Sequence, residues 1–182
     1  MEPIYSISLA PEFETLISDN YVVWSALAEG INRVPLSSHW EPAELRFSSR
    51  GQALPRQADI ATVYFPGVLA LSEKSSRLIF GEPRTNLELL PVAVEGKTWY
   101  VVNCLQSISI DKDSEESVIF RGENDEIFLA SWIVGKKAAA EDEIFVLDGS
   151  NRKFIYCTDE FREKIDSNRL CGITFAPIGV LI

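Results

Sequence analysis

The run LELLPVAVEGKTWYVVNCL, residues 87 to 105, limits what this chain can fold into more than any other stretch. It is two strand-like runs joined at Glu95-Gly96-Lys97, where glycine supplies the positive φ that a tight hairpin needs. The second run, TWYVVNCL, is apolar almost throughout, as a strand covered on both faces would be. The segments around this hairpin must therefore supply its cover. Upstream, GVLALSEKSSRLIFGEP predicts a short strand and then a helix. Ser72 is the cap, Glu73 sits in the first turn where the helix dipole favours an acid, Gly81 ends the helix and Pro83 prevents its continuation. Downstream, SISI alternates as a half-buried strand does, and EIFLASWIV and EIFVL predict two more strands. The intervening GKKAAAEDE has the alanines for a turn of helix.

The C-terminal stretch FIYCTDEFREKIDSNRLCGITF reads as strand, Thr158 cap, acidic first turn, short helix and final strand. Phe161 and Ile165 form its inward stripe, and Leu170 closes it. Glu160 and Lys164 are an i, i+4 pair in the favourable order. The two strand–cap–helix units look alike, but any two such units would, and the similarity is too weak to count as a repeat. Residues 1 to 57 read as irregular. PEFETLI can open a short helix at Pro11, residues 20 to 24 have strand composition, and prolines 35, 42 and 55 mark loops between residues 32 and 59. Strands outnumber helices without regular alternation. The expected fold is α+β, a mainly antiparallel β-sheet with a few short helices packed against it, in one domain spanning residues 1–182. Within it, residues 58–182 form the α+β core.

At 46% hydrophobic and 24% charged residues the chain is globular, and it is long enough to bury a core without disulfides or metals. Cys104, Cys157 and Cys171 are odd in number, widely spaced and set in apolar segments, as buried reduced thiols of a cytoplasmic protein would be. The first residues open with an acid and break at Pro11, so no cleaved signal is expected, and no apolar run approaches the ~20 residues of a membrane span. A net charge of −10 argues against nucleic acid and anionic membrane as partners and favours a basic protein.

Seven of the 27 acidic residues gather in DKDSEESVIFRGENDEIF. Asp111, Asp113, Glu115, Glu116, Glu123, Asp125 and Glu126 surround the apolar triplet Val118-Ile119-Phe120. A calcium loop starting at Asp111 would need glycine at its sixth place and a bidentate acid at its twelfth, but those places hold Glu116 and Gly122. Paired carboxylates also serve glycoside hydrolysis, which needs a cleft that a sequence does not display. Three readings remain open: a solvated loop, a docking surface in which the acids steer a basic partner and the triplet anchors it, and an enzyme that uses the carboxylate cluster with a divalent cation. The bland version of the triplet is one more buried strand. Trp99 and Trp132 lie in strand-like runs and are expected in the core, whereas Trp40, in the proline-rich region, is a candidate interface anchor.

His39 is the only histidine, and no G-x-S-x-G elbow accompanies it. H-E-x-x-H, C-x-x-C, the phosphate-loop motif and the dinucleotide fingerprint do not occur, and no cofactor is expected.

The succession GVLALSEKSSRLI, TWYVVNCLQSISIDKDSEESVIF and EIFVLDGSNRKFIYCTDEFREKIDSNRLCGITFAPI resembles the immunity protein 11 family of bacterial polymorphic toxin systems over about residues 58 to 178. The matching features are the serine-capped helix at Ser72, the stretch from Tyr100 to Asn103, Asp111 with Ser114, and the closing segment from Gly172 to Phe175. Asp111 and Ser114 stand one residue closer than in the family pattern. The resemblance implies a non-enzymatic protein that binds and neutralises a cognate toxin effector domain in the cytoplasm. It carries over no binding residues. The acidic surface, and a basic toxin such as a nuclease, are suggested by the charge of this chain alone.

Overall fold

The computed structural model describes residues 1–32, 34–49, 56–81, 84–111, 114–121, 127–136, 143–150 and 154–182, without the side chains of residues 24, 26, 28, 29, 65, 66 and 128–131. The chain begins with β1 (Glu2–Leu9), β2 (Thr15–Ile17), α1 (Tyr21–Gly30) and β3 (Ala43–Ser48). There follow β4 (Ile60–Val63), β5 (Phe65–Ser72), α2 (Glu73–Phe80), β6 (Leu87–Val94) and β7 (Lys97–Cys104). The second half contains β8 (Ser107–Ile110), β9 (Val118–Arg121), β10 (Ile127–Lys136), β11 (Ile144–Leu147), β12 (Tyr156–Thr158), α3 (Asp159–Ser167) and β13 (Ile173–Leu181). Among the described residues strands dominate and helices are few and short, which fits the α+β class. No helix among them is long and apolar enough to cross a membrane.

The strands close into two rings rather than one open sheet. Starting at β2, the first ring runs antiparallel to β3, parallel to β6, antiparallel to β7, β5 and β4 in turn, and returns to β2 by a parallel ladder. Starting at β8, the second runs antiparallel to β10, parallel to β13, antiparallel to β1, β12 and β11, and returns parallel to β8. The order of ladders is the same. α2 follows β5 as α3 follows β12. The two strand–helix units that looked alike in sequence therefore belong to matching architectures. Closure removes the open edges that a flat sheet would have to protect. The sheets are thus mixed, with two parallel ladders in each ring.

One strand breaks the sequential order. The place that β7 takes in the first ring is filled in the second by β1, from the start of the chain. The described part of residues 1–57 is accordingly not all irregular. It supplies one strand to the second ring, two to the first, and α1. Residues 20 to 24, strand-like in composition, begin α1, with the Asn20 side chain accepting from the Val22 N–H as cap. PEFETLI makes a turn and then β2 instead of a helix.

Strand alternation divides the apolar residues among three cores. Val68 and Ala70 of β5 point into the first ring, while Leu69 and Leu71 point out of it. Phe145 and Leu147 of β11 point into the second, while Ile144 and Val146 point out. The outward sets meet in a third core between the rings, roofed by Ile79 and Phe80 of α2 and Phe161 and Ile165 of α3. The expected covering of β7 on both faces is present, since Val101 belongs to the first ring's core and Val102 to the shared one. Ser72 caps α2 through the Ser75 N–H at 3.2 Å, and the hairpin turn has positive φ at both Glu95 and Gly96. Thr158 precedes α3 without a side-chain cap bond. The predicted Glu160–Lys164 pair forms at 3.5 Å, and Leu170 is buried. Cys104 and Cys157 are buried, whereas Cys171 is only half-buried. The segment GKKAAAEDE lies largely outside the described residues.

Candidate partner-binding surface

The segment between β8 and β9 is an excursion from a single line of pairing along β10. Ser109 and Ile110 pair with Lys136 and Gly135, the Asp111 N–H donates to Val134 O at 2.7 Å, and the Val134 N–H donates to Ser117 Oγ at 3.1 Å. β9 then resumes along the first half of β10, Val118 facing Trp132 and Phe120 facing Leu129. Backbone pairing on both sides of the excursion thus fixes where it leaves and rejoins the second ring.

This arrangement separates the acids. Asp111 is 15% exposed and paired with Lys136 at 3.1 Å, so it is an anchor of the excursion rather than a free surface charge. Glu115 and Glu116 stand exposed at the turn before β9. Asp113, Glu123, Asp125 and Glu126 lie outside the described residues. Trp40 belongs elsewhere. It packs against the core of the first ring, half-buried, and its indole N–H donates to Pro91 O at 2.8 Å. Among the described residues no group of three His, Cys, Asp or Glu side chains is placed to hold a metal.

The triplet does form a strand, but not a buried one. Val118 is 46% and Phe120 53% exposed, while Ile119 turns the other way onto the second ring's core. Trp132, expected in the core, is 36% exposed. Register shifts in β10 before Leu129 and before Trp132 change the phase of its side chains, and no sequence alternation announces them. The cross-strand pair Val118–Trp132 and the adjacent Phe120 thus make an apolar face beside Glu115 and Glu116. Beside β9 lies a cavity of about 370 Å³, walled by Ile119, Ile127 and Asp148 among others, and Asp148 accepts from Ser109 Oγ at 2.8 Å.

α1 holds in the first ring the place that β9 holds in the second, between the first strand of the ring and the next. Between its N-terminal end and β3 runs a groove of about 760 Å³, with His39, Trp40, Asp19 and Arg46 in its wall. Arg46 is already held by Asp19, through contacts of 3.0 and 3.2 Å, which balances its charge. The loop that carries His39 and Trp40 is fixed from beneath by a buried network. Asn103 Oδ1 accepts from the Asn32 N–H at 2.6 Å, and its Nδ2 donates to Val34 O and Glu88 Oε2. Glu88 also accepts from the Leu36 and Ser37 N–H groups and the Ser37 hydroxyl. Partial burial by itself would raise the Glu88 carboxyl, but these donors outweigh it and hold the group below the ordinary carboxylate value.

The sign of the resulting pH dependence is fixed. A carboxyl lowered in the folded state stabilises fully above its unfolded value of about 4.3, and the benefit is lost as pH falls through the folded value. Replacing Glu88 by Gln is expected to cost about 2 kcal/mol at pH 7, the scale of charge-assisted hydrogen bonds lost from a partly buried group. Urea unfolding at a series of pH values should show the gap between wild type and E88Q narrowing below about pH 4.

No protein-family model matches this chain, and no curated protein matches it.

Proposed function

We propose that this protein is a non-catalytic immunity protein. It binds a cognate toxin of a polymorphic toxin system in the cytoplasm and neutralises it. The observation that carries the reading is the exposed apolar face of Val118, Phe120 and Trp132 set beside Glu115 and Glu116 in a chain of net charge −10. Large apolar and aromatic side chains ringed by charge are what protein interfaces place at their centres and rims. The acids draw in a basic partner and set its orientation, and the apolar face excludes water once contact is made. The resemblance to the immunity protein 11 family points to the same role.

The test is survival. Cells expressing the neighbouring toxin gene are expected to grow when this protein is co-expressed, and to die when it carries Phe120→Asp with Trp132→Ala, at unchanged melting temperature. A general interaction module would rescue nothing. With purified partners, raising ionic strength from low to high is expected to weaken binding about tenfold or more, mainly through the on-rate. An affinity flat in salt would remove the steering role of the acids.

A further inference from the structure

β9 ends the order of paired strands. Its ladder partner among the described strands is β10, and both rings are otherwise closed on themselves. We propose that β9 receives an added strand, an extended basic segment of the partner protein. The inference rests on the partner-binding reading above and gives it a geometry.

Three observations support a strand as the occupant and a basic one as its chemistry. β9 is short and already extended, so an incoming segment meets backbone groups that are pre-ordered. Val118 and Phe120 alternate on its exposed face with Ile119 on its covered face, so a paired segment finds apolar neighbours at every second position. The approach to the strand is acidic. Glu115 and Glu116 are exposed immediately before it, in a chain of net charge −10. The same charges argue against the nearest competitor, a second copy of this chain. Two such molecules each carry −10 and repel one another at long range.

The experiment uses the full chain and capped peptides alternating lysine and valine. At low ionic strength the parent peptide is expected to bind and to shift the backbone amide resonances of residues 118–121. Two further peptides carry N-methyl groups, one on every lysine and one on every valine. A strand docked by one edge turns only one alternate set of N–H groups towards β9. One methylated peptide should therefore lose about tenfold or more in affinity, the effect of one or two hydrogen bonds, while the other binds as the parent does. If both bind as the parent does, strand addition is wrong and the docking surface stands on side chains alone. If the parent does not bind while toxin rescue succeeds, the occupant is not a basic strand although the immunity reading holds. A dimer in sedimentation whose formation protects the β9 amides would overturn the proposal in favour of self-pairing.

Discussion

A chain lacking residues 1–9 is expected to lose its second ring. β1 lies between β12, paired from Ile4 to Ser6, and β13, paired from Glu2 to Leu9. Its removal therefore opens two edges at once. It also removes Ile4 from the second ring's core and Ile7 from the shared one, both nearly fully buried. Each such loss costs about 2–5 kcal/mol, and together they approach the whole stability of a typical domain, about 5–15 kcal/mol. Hydrogen exchange should show protection lost in β10, β12 and β13 but retained in β6 and β7. A synthetic peptide of residues 1–10, added in trans, should restore it. A truncated chain melting at the same temperature as the full one would mean that β1 contributes nothing to the ring.

Gly172→Ala is expected to be strongly destabilising. Gly172 has φ +121, and a Cβ there would lie 1.9 Å from the Ile60 carbonyl oxygen and 2.4 Å from Ala58 Cβ. Neither neighbour can turn aside. The Ile60 and Asp59 N–H groups both donate to Cys171 O, and the Ala10 N–H donates to Gly172 O, so three segments are tied at this point. Relief of the clash must break those bonds, at about 4 kcal/mol or more and a loss of about ten degrees in Tm. Gly96→Ala is the control. Gly96 also has positive φ, +78, but a Cβ there meets nothing within 4 Å, and only the conformational cost of about 1–2 kcal/mol applies. Thermal melts of the two variants should differ by several degrees. Equal melts would show that strain in φ, and not the close approach of backbones, governs both sites.

What the sequence displayed and what it hid divide along the range of the forces involved. Ser72, Glu73 and Gly81 mark α2, and Glu95-Gly96 mark the β6–β7 turn, because caps and turns act over a few residues. β1 gave no such sign, since its partners lie about 150 residues or more further along the chain, and β2 is three residues long. The Tyr-Val-Val-Trp run after Asn20 has strand composition, yet the Asn20 cap and the burial of Leu27 and Ile31 make α1 of it. Parallel ladders such as β3–β6 have no local signature, so an antiparallel sheet was the natural expectation. At the candidate surface the sequence located the acids and the triplet but not which of them are engaged. The Asp111–Lys136 pair joins residues 25 positions apart, and Trp132 faces outward through register shifts. Cys171 escapes full burial beside Asp59, whose carboxylate accepts from its backbone N–H at 3.3 Å.

The strand that closes the second ring is also the first made and the last used. At about 5–20 residues per second a ribosome needs roughly 10 to 35 seconds to travel from Leu9 to Leu181, the end of the strand that β1 must meet. The first ring, drawn from residues 15 to 104, can assemble long before then. Throughout that wait Ile4, Ile7 and Leu9 trail unpaired from a nascent chain. Chaperones that shield extended apolar segments would be expected to engage it there, so translation speed and chaperone supply should set the yield of this protein more than its final stability does.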